Sequence, residues 1–111
     1  MKSVVVDGET LTIGDVVHVA RHQAQTTLSD VAAKRMRASA EWVDQAANGK
    51  IQDANKNPLP VYGVNTGYGS LARVRIDTAS IQQLSWNLVR SHTAGVGPAL
   101  PEDVVRAMML L

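Results

Sequence analysis

The spacing of apolar residues predicts helices over most of this chain. The longest begins near Ser29, a good N-cap residue followed by Asp30 in the first turn, and it stops before Gly49. The apolar stripe of this helix comprises Val31, Ala32, Met36, Ala40, Val43 and Ala47. A shorter helix is predicted from about Ile13 or Gly14, and its apolar side comprises Val16, Val17 and Ala20.

Two more helices are predicted downstream. Asp77 or Thr78 is the expected N-cap of the first. One face of this helix comprises Ile81, Leu84, Leu88 and His92. It ends at the glycines of residues 95–97, and Pro101 fits the first turn of a last helix.

The start of the chain predicts a small β element. Val4–Thr12 has the pattern of two short strands around an Asp7-Gly8 turn, which is the strongest short signal for a hairpin. The polar stretch Lys50–Pro60 is a predicted loop. The predicted fold class is therefore mainly α: a short N-terminal β-hairpin followed by about four helices and a glycine-rich loop, in a single domain over residues 1–111.

Composition excludes several classes of function. Eleven basic residues against ten acidic ones give a net charge of +1, which offers no electrostatic case for nucleic acid or an anionic membrane. The sequence has no apolar run long enough to span a bilayer, no signal-peptide pattern and no cysteine, so a cytoplasmic protein is expected. The apolar run Arg106–Leu111 at the end of the chain predicts a truncation of a longer protein.

Two segments carry candidate chemistry. Val61–Gly69 places Tyr62 and Asn65 in a loop with three glycines, which tolerate positive φ and close approach of a ligand. Asn87–Gly97 supplies a second polar cluster that includes Ser91 and His92. Spacing alone favours a tyrosine that packs a turn, an asparagine that bonds its own backbone and a packed histidine. These residues by themselves therefore define no reaction.

A metal site is not expected. His18 and His22 have the spacing of two ligands on one helix face. The zinc-protease signature also needs a glutamate directly after the first histidine, and Val19 occupies that position.

The two segments together closely resemble motifs of the aromatic amino acid ammonia-lyase family. Val61-Tyr-Gly-Val-Asn-Thr-Gly-Tyr-Gly69 resembles the tyrosine loop of that family, with Tyr68 where phenylalanine is usual. Asn87-Leu-Val-Arg-Ser-His-Thr-Ala-Gly-Val-Gly97 is similar to its substrate-selecting segment. The order of the motifs matches, and the resemblance covers nearly the whole chain. It implies the N-terminal portion of the ammonia-lyase (fumarase/aspartase-like) fold.

The resemblance also implies a reaction and roles for individual residues. Such enzymes eliminate ammonia from an aromatic amino acid with a 4-methylidene-imidazol-5-one group made from an internal Ala-Ser-Gly, a tripeptide that this chain lacks. Tyr62 would be the catalytic acid/base on a mobile lid. His92 and Ser91 would contact the substrate, Gly69 would allow its close approach, and Asn65 and Leu88 would line the pocket.

Several alternatives stay open at this point. The Ser91-His92 pair is more similar to histidine ammonia-lyases, which convert histidine to urocanate in histidine catabolism. Arg90-Ser91-His92 also resembles some tyrosine 2,3-aminomutases, so tyrosine lyase or aminomutase activity is an alternative. The resemblance implies a homotetramer, and a chain that lacks the electrophile is expected to be inactive alone. A non-catalytic helical assembly module is the remaining hypothesis.

Overall fold

The computed structural model describes residues 3–111 as a mainly helical chain, as predicted. The elements are β1 (Val4–Val6), α1 (Ile13–His22), β2 (Thr26–Leu28), α2 (Asp30–Ala47), α3 (Ile81–His92) and α4 (Glu102–Leu110). Single 3-10 turns occupy Gly69–Leu71 and Thr78–Ser80. The packing divides the chain into two units. Unit 1 contains the residues up to Arg37 together with Val96–Leu111, and unit 2 is Ala38–Gly95.

The predicted N-terminal hairpin is wrong. β1 pairs with β2 in parallel, with Val4 opposite Thr26, so the partner strand follows α1 instead of the Asp7-Gly8 turn. Parallel strands need a crossover connection, and α1 supplies it. The Asp7 carboxylate accepts hydrogen bonds from the backbone N–H groups of Glu9 and Thr10, both at 2.8 Å. These bonds close a local turn from which the chain enters α1 and does not return along β1.

A capping box starts α1. The Thr12 hydroxyl accepts a hydrogen bond from Asp15 N at 3.2 Å, and the Asp15 carboxylate accepts one from Thr12 N at 3.1 Å. Each side chain satisfies a backbone donor that the first turn leaves without a helical partner. The predicted start at about Ile13 or Gly14 is thereby confirmed, and the helix begins at Ile13.

α1 packs against α4 within unit 1. Val19 and Ala20 are buried on α1. The Arg106 guanidinium on α4 donates to the Val19 carbonyl from Nε at 3.2 Å and from Nη2 at 3.0 Å. Arg21 and Asp103 form an exposed ion pair at 3.2 Å, which is expected to contribute little because water screens it. The arginine bonds to the α1 backbone therefore fix the packing more than the surface pair does.

α2 has the predicted ends, and most of its apolar stripe is exposed. The Ser29 hydroxyl accepts from Ala32 N at 3.1 Å, and Gly49, at φ +69°, follows the end of the helix. Of its apolar stripe, Ala32 is buried, whereas Val31 and Met36 are 67% and 59% exposed. Helical periodicity therefore identified the element, while most of its larger apolar side chains remain accessible in this chain.

Unit 2 contains the loop between α2 and α3 and the whole of α3. The Asp77 carboxylate accepts from Ser80 N at 2.9 Å and so caps the 3-10 turn Thr78–Ser80. This turn continues into α3, whose own N-cap residue is Ser80, so the predicted cap residue starts the turn before the α-helix. Ala46, Asn65 and Thr66 are buried in this unit, at 0%, 3% and 2% exposure. An amide and a hydroxyl thus lie at the centre of the unit and require hydrogen-bond partners.

Residues 3–111 contain neither a candidate membrane span nor a candidate metal centre. None of the helices there combines the length and the apolar character needed to cross a bilayer. No group of three or more His, Asp or Glu side chains in this part of the chain is arranged to hold a metal ion.

The turn after β1 leads to a prediction on acid sensitivity. The Thr10 hydroxyl, followed by the backbone N–H groups of Thr10 and Glu9, lowers the pKa of Asp7 from 3.8 to about 2. Because the folded pKa is depressed, the stabilisation is present above 3.8 and is lost as the pH falls towards 2. Carboxyl NMR titration of a Thr10→Val variant is expected to show the Asp7 midpoint moved up towards 3.8. An unchanged midpoint would contradict this origin, and Thr27→Val on β2 is the matched control.

Candidate active site

Asn65 holds the glycine-rich loop from below. Its side-chain oxygen accepts a hydrogen bond from Val61 N at 2.7 Å. Its side-chain nitrogen donates to the carbonyls of Leu59 at 3.0 Å and of Ala46 at 3.3 Å. Both amide protons are therefore used on backbone carbonyls. The amide connects the start of the loop to the end of α2.

Backbone pairing closes the loop at its other end. Gly67 N donates to Val74 O, and Ile76 N donates to Asn65 O, both at 2.9 Å. These bonds flank an isolated antiparallel bridge between Thr66 and Arg75. The stretch from Val61 to Ile76 is therefore a closed loop whose polar backbone is satisfied largely by its own residues.

Gly67 has no room for a side chain. A Cβ atom at this position would stand 2.6 Å from Leu71 Cβ and 2.8 Å from the Leu71 carbonyl oxygen. Since the second of these neighbours is backbone, a substitution would have to displace the 3-10 turn Gly69–Leu71. Glycine is therefore required here by close approach of the chain to itself.

Tyr62 lies on the outer side of this loop. The residue is 62% exposed, and its hydroxyl oxygen accepts a hydrogen bond from Gly69 N at 3.1 Å. Gly69 has φ +56°, a left-handed conformation that glycine adopts without strain. Because the oxygen is the acceptor in this bond, the hydroxyl proton stays available for another partner.

Tyr68 contacts Tyr62 and the backbone beside it. The two rings meet edge to face, with centroids 5.9 Å apart and planes at 85°. The Tyr68 hydroxyl donates to the Gly63 carbonyl at 3.2 Å, and the Thr66 hydroxyl accepts from Gly63 N, also at 3.2 Å. Hydrogen bonds thus fix both backbone groups of Gly63, the residue that follows Tyr62.

The second candidate group lies at the C-terminal end of α3. His92 Nδ1 is 2.9 Å from the Leu88 carbonyl, and the Ser91 hydroxyl donates to the same carbonyl at 2.8 Å. A carbonyl can only accept, so Nδ1 carries the proton in this arrangement. In the neutral imidazole Nε2 is then the acceptor. His92 is exposed and thus presents an acceptor nitrogen to a ligand.

The structure brings the predicted site residues into two clusters, both within unit 2. Tyr62 and Gly69 share a hydrogen bond, and Leu88, Ser91 and His92 share the end of α3. Between these two clusters, no hydrogen bond is recorded among residues 3–111. Asn65 lies beneath the loop with both amide protons engaged, so its part in lining a pocket stays a prediction, as do the other proposed roles.

Sequence reasoning missed what stabilises the loop. It treated Asn65 as a residue that bonds its own backbone, whereas Asn65 also bonds Ala46, 19 positions earlier. Nothing local in the sequence indicates that contact. The alternating apolar positions Val74 and Ile76 are a weak strand signal that points to the pairing with Asn65–Gly67.

Comparison with known proteins gave consistent matches. The profile of a family described as "Aromatic amino acid lyase" matches residues 11–111. A histidine ammonia-lyase from Myxococcus xanthus is 44% identical over 108 residues, which is 97% of this chain and 20% of that protein. Further curated relatives at 42 to 46% identity carry the same name.

Solved structures match as well. The ergothionase from Treponema denticola superimposes with a TM-score of 0.82 at 33% identity, over 98% of this chain and 20% of that chain. A tyrosine aminomutase from Streptomyces globisporus gives 0.71 at 35% identity, over 98% and 19%. The chain therefore spans about a fifth of the length of the proteins that it matches.

Proposed function

The chain belongs to the aromatic amino acid lyase family, and we propose that it contributes to an ammonia-lyase that converts L-histidine to urocanate and ammonia. The observation that carries this proposal is the 42 to 46% identity to histidine ammonia-lyases over nearly the whole chain. The arrangement of Tyr62 and of His92 supports it.

In this proposal Tyr62 moves the proton. Elimination breaks a C–H bond on the carbon next to the amine-bearing carbon, forms the carbon–carbon double bond and releases the amine as ammonia. Tyr62 acts as the general base in its phenolate form, accepts that proton on its oxygen and becomes the neutral phenol. A backbone N–H directed at this oxygen, as Gly69 N is, suits a group that must carry negative charge for part of the cycle. The loop acts as a lid that excludes water when substrate is bound.

The electrophile of this chemistry does not come from these residues. A 4-methylidene-imidazol-5-one group, which would activate the substrate for loss of ammonia, forms from Ala-Ser-Gly, and the 111 residues contain no such tripeptide. The nearest match is Ala38-Ser39-Ala40, within α2. These residues therefore do not fit the group, and in the proposed enzyme another part of the protein supplies it.

His92 recognises the head of the substrate in this proposal. Its Nε2 accepts a hydrogen bond, so it suits a head group that donates one, such as the N–H of an imidazole. The Leu88 carbonyl, to which the Ser91 hydroxyl also donates, keeps the ring in this tautomer. Gly69 allows close approach, while Leu88 and Asn65 line the pocket. The proposed enzyme is a cytoplasmic homotetramer that binds neither nucleic acid nor membrane.

A tyrosine ammonia-lyase or tyrosine aminomutase is the second candidate. The 35% identity to a tyrosine aminomutase structure favours it, and a phenol hydroxyl also donates to an acceptor nitrogen. Histidine ranks first because the curated relatives at higher identity are histidine ammonia-lyases.

The test is ammonia release by the full-length protein that carries this chain. With L-histidine we expect ammonia and the absorbance of urocanate in equal amounts. Coumarate from L-tyrosine would instead indicate the tyrosine lyase, and a β-tyrosine detected by chromatography would indicate the aminomutase. No product from either substrate would contradict the proposal and favour a non-catalytic assembly module.

Substrate selection by His92 gives a separate prediction. A His92→Leu variant loses the acceptor nitrogen, so KM for L-histidine is expected to rise about tenfold, the effect of one hydrogen bond. Steady-state kinetics measures this effect. His22→Leu, an exposed histidine at the end of α1, is the matched control and should leave KM unchanged. An unaltered KM in His92→Leu would contradict the contact.

A further inference from the structure

Tyr68 is placed to control the position of Tyr62. Its hydroxyl donates to the carbonyl of Gly63, the residue directly after Tyr62, and its ring meets the Tyr62 ring edge to face. At Gly63, where φ is +74°, a Cβ would stand 3.1 Å from the Tyr68 ring atom Cε1. The Tyr68 ring therefore occupies the space beside the glycine, and it is fixed against the backbone that carries Tyr62.

The backbone of Tyr68 is itself anchored. Its carbonyl accepts from Leu71 N at 2.9 Å, which belongs to the 3-10 turn Gly69–Leu71. The same turn begins with Gly69, whose N–H bonds the Tyr62 hydroxyl. Tyr68 thus connects the 3-10 turn, whose Gly69 N–H bonds the Tyr62 hydroxyl, to the backbone at Gly63, next to Tyr62.

Tyr62 has need of such support. With 62% of the residue exposed, its side chain has little packing to define its rotamer. The hydrogen bond from Gly69 N and the edge-to-face contact with Tyr68 are directional interactions that do so.

We propose that Tyr68 is a positioning residue that acts through Tyr62, holding the Tyr62 hydroxyl at Gly69 N; its effect on turnover rests on the proposed function. The hydroxyl of Tyr68 fixes the Gly63 carbonyl, and the ring limits the rotation of the Tyr62 side chain. Phenylalanine at this position keeps the ring contact and loses the hydrogen bond, so the two contributions can be separated.

The experiment compares Tyr68→Phe and Tyr68→Leu with the unmodified full-length protein. Tyr68→Phe is expected to lower kcat about two- to tenfold, the effect of one neutral hydrogen bond, with KM for L-histidine within about twofold. Tyr68→Leu removes the ring contact as well and should lower kcat further. Ser70→Ala, an exposed hydroxyl next to Gly69, is the matched control and should change neither constant.

Amide hydrogen exchange at Gly69 gives a readout that does not depend on activity. Its N–H bonds the Tyr62 hydroxyl. The exchange rate of Gly69 in Tyr62→Phe is therefore the reference value for this amide without that bond. Tyr68→Phe should raise the rate about two- to tenfold towards that limit. In the double variant Tyr62→Phe/Tyr68→Phe the second change should add nothing, because it acts through a hydroxyl that is already absent.

Two results would overturn the inference. One is an unchanged Gly69 exchange rate in Tyr68→Phe. The other is a loss of kcat by the same factor when Tyr68→Phe is made in the unmodified protein and in Tyr62→Phe. That result would indicate a general structural effect that does not act through the Tyr62 hydroxyl. If the unmodified protein releases no ammonia, the proposed function fails, while the exchange measurement still decides whether Tyr68 positions Tyr62.

Discussion

Tyr62→Phe is expected to lower kcat by about two to four orders of magnitude, the usual contribution of a positioned general acid or base. The substitution leaves the ring and its edge-to-face contact with Tyr68 in place. It removes the oxygen that accepts from Gly69 N and that takes the proton in the proposed elimination. KM should change little, because a residue that acts in the transition state contributes mainly to kcat.

Steady-state ammonia release by the full-length protein measures this loss. Ser70→Ala controls for removal of a hydroxyl from the same loop. Turnover within a few-fold of the unmodified protein would exclude Tyr62 as the acid/base and would favour a purely structural tyrosine. A matching loss of substrate affinity would instead indicate that the loop as a whole had moved.

Asn65→Asp is expected to destabilise the loop by about 2 to 4 kcal/mol. The two side chains have nearly the same shape, and the carboxylate can still accept from Val61 N. It cannot donate to the carbonyls of Leu59 and Ala46, however, and it places a charge against both oxygens at a position that is 3% exposed. Lost donors and carboxylate–carbonyl repulsion therefore act in the same direction.

Local opening of the loop is the appropriate measurement. The amide N–H groups of Gly67 and Ile76 pair across the loop closure, and their exchange should quicken in Asn65→Asp. Asn87→Asp is the matched control, because Asn87 is exposed on α3 and its side-chain oxygen only accepts from Gln83. Equal protection in the two variants would show that the Asn65 amide does not hold the loop.

The helices could be predicted because their signals are local. Ser29 caps α2, Asp77 caps the 3-10 turn before α3, and Gly49 follows the end of α2. Each of these residues acts on backbone groups within a few positions of itself. The pairing of β1 could not be predicted in this way, since an Asp-Gly turn followed by polar residues serves a hairpin and a helix entry equally well. The correct partner, Thr26–Leu28, lies beyond a whole helix.

The candidate site shows the same difference between residues that local motifs identify and contacts that depend on the folded chain. The residues proposed to carry the chemistry, Tyr62 and His92, stood out through the resemblance of their motifs and not through spacing alone. The residues that position them did not, because their partners are set by the folded loop. The hydrogen bonds from Asn65 to Ala46 and from Tyr68 to Gly63 result from the path of the folded chain. No local sequence pattern predicts them.

The division of unit 1 into an early and a late segment bears on the order of assembly during synthesis. Arg21 and its partner Asp103 are 82 positions apart, and Arg106 reaches the Val19 carbonyl across 87. Until α4 leaves the ribosome, the face of α1 that it covers has no partner, whereas every residue of unit 2 has already been made. Closing so long a connection costs less entropy once the intervening residues are compact. A nascent chain would therefore gain from folding residues 38–95 before α4 reaches α1.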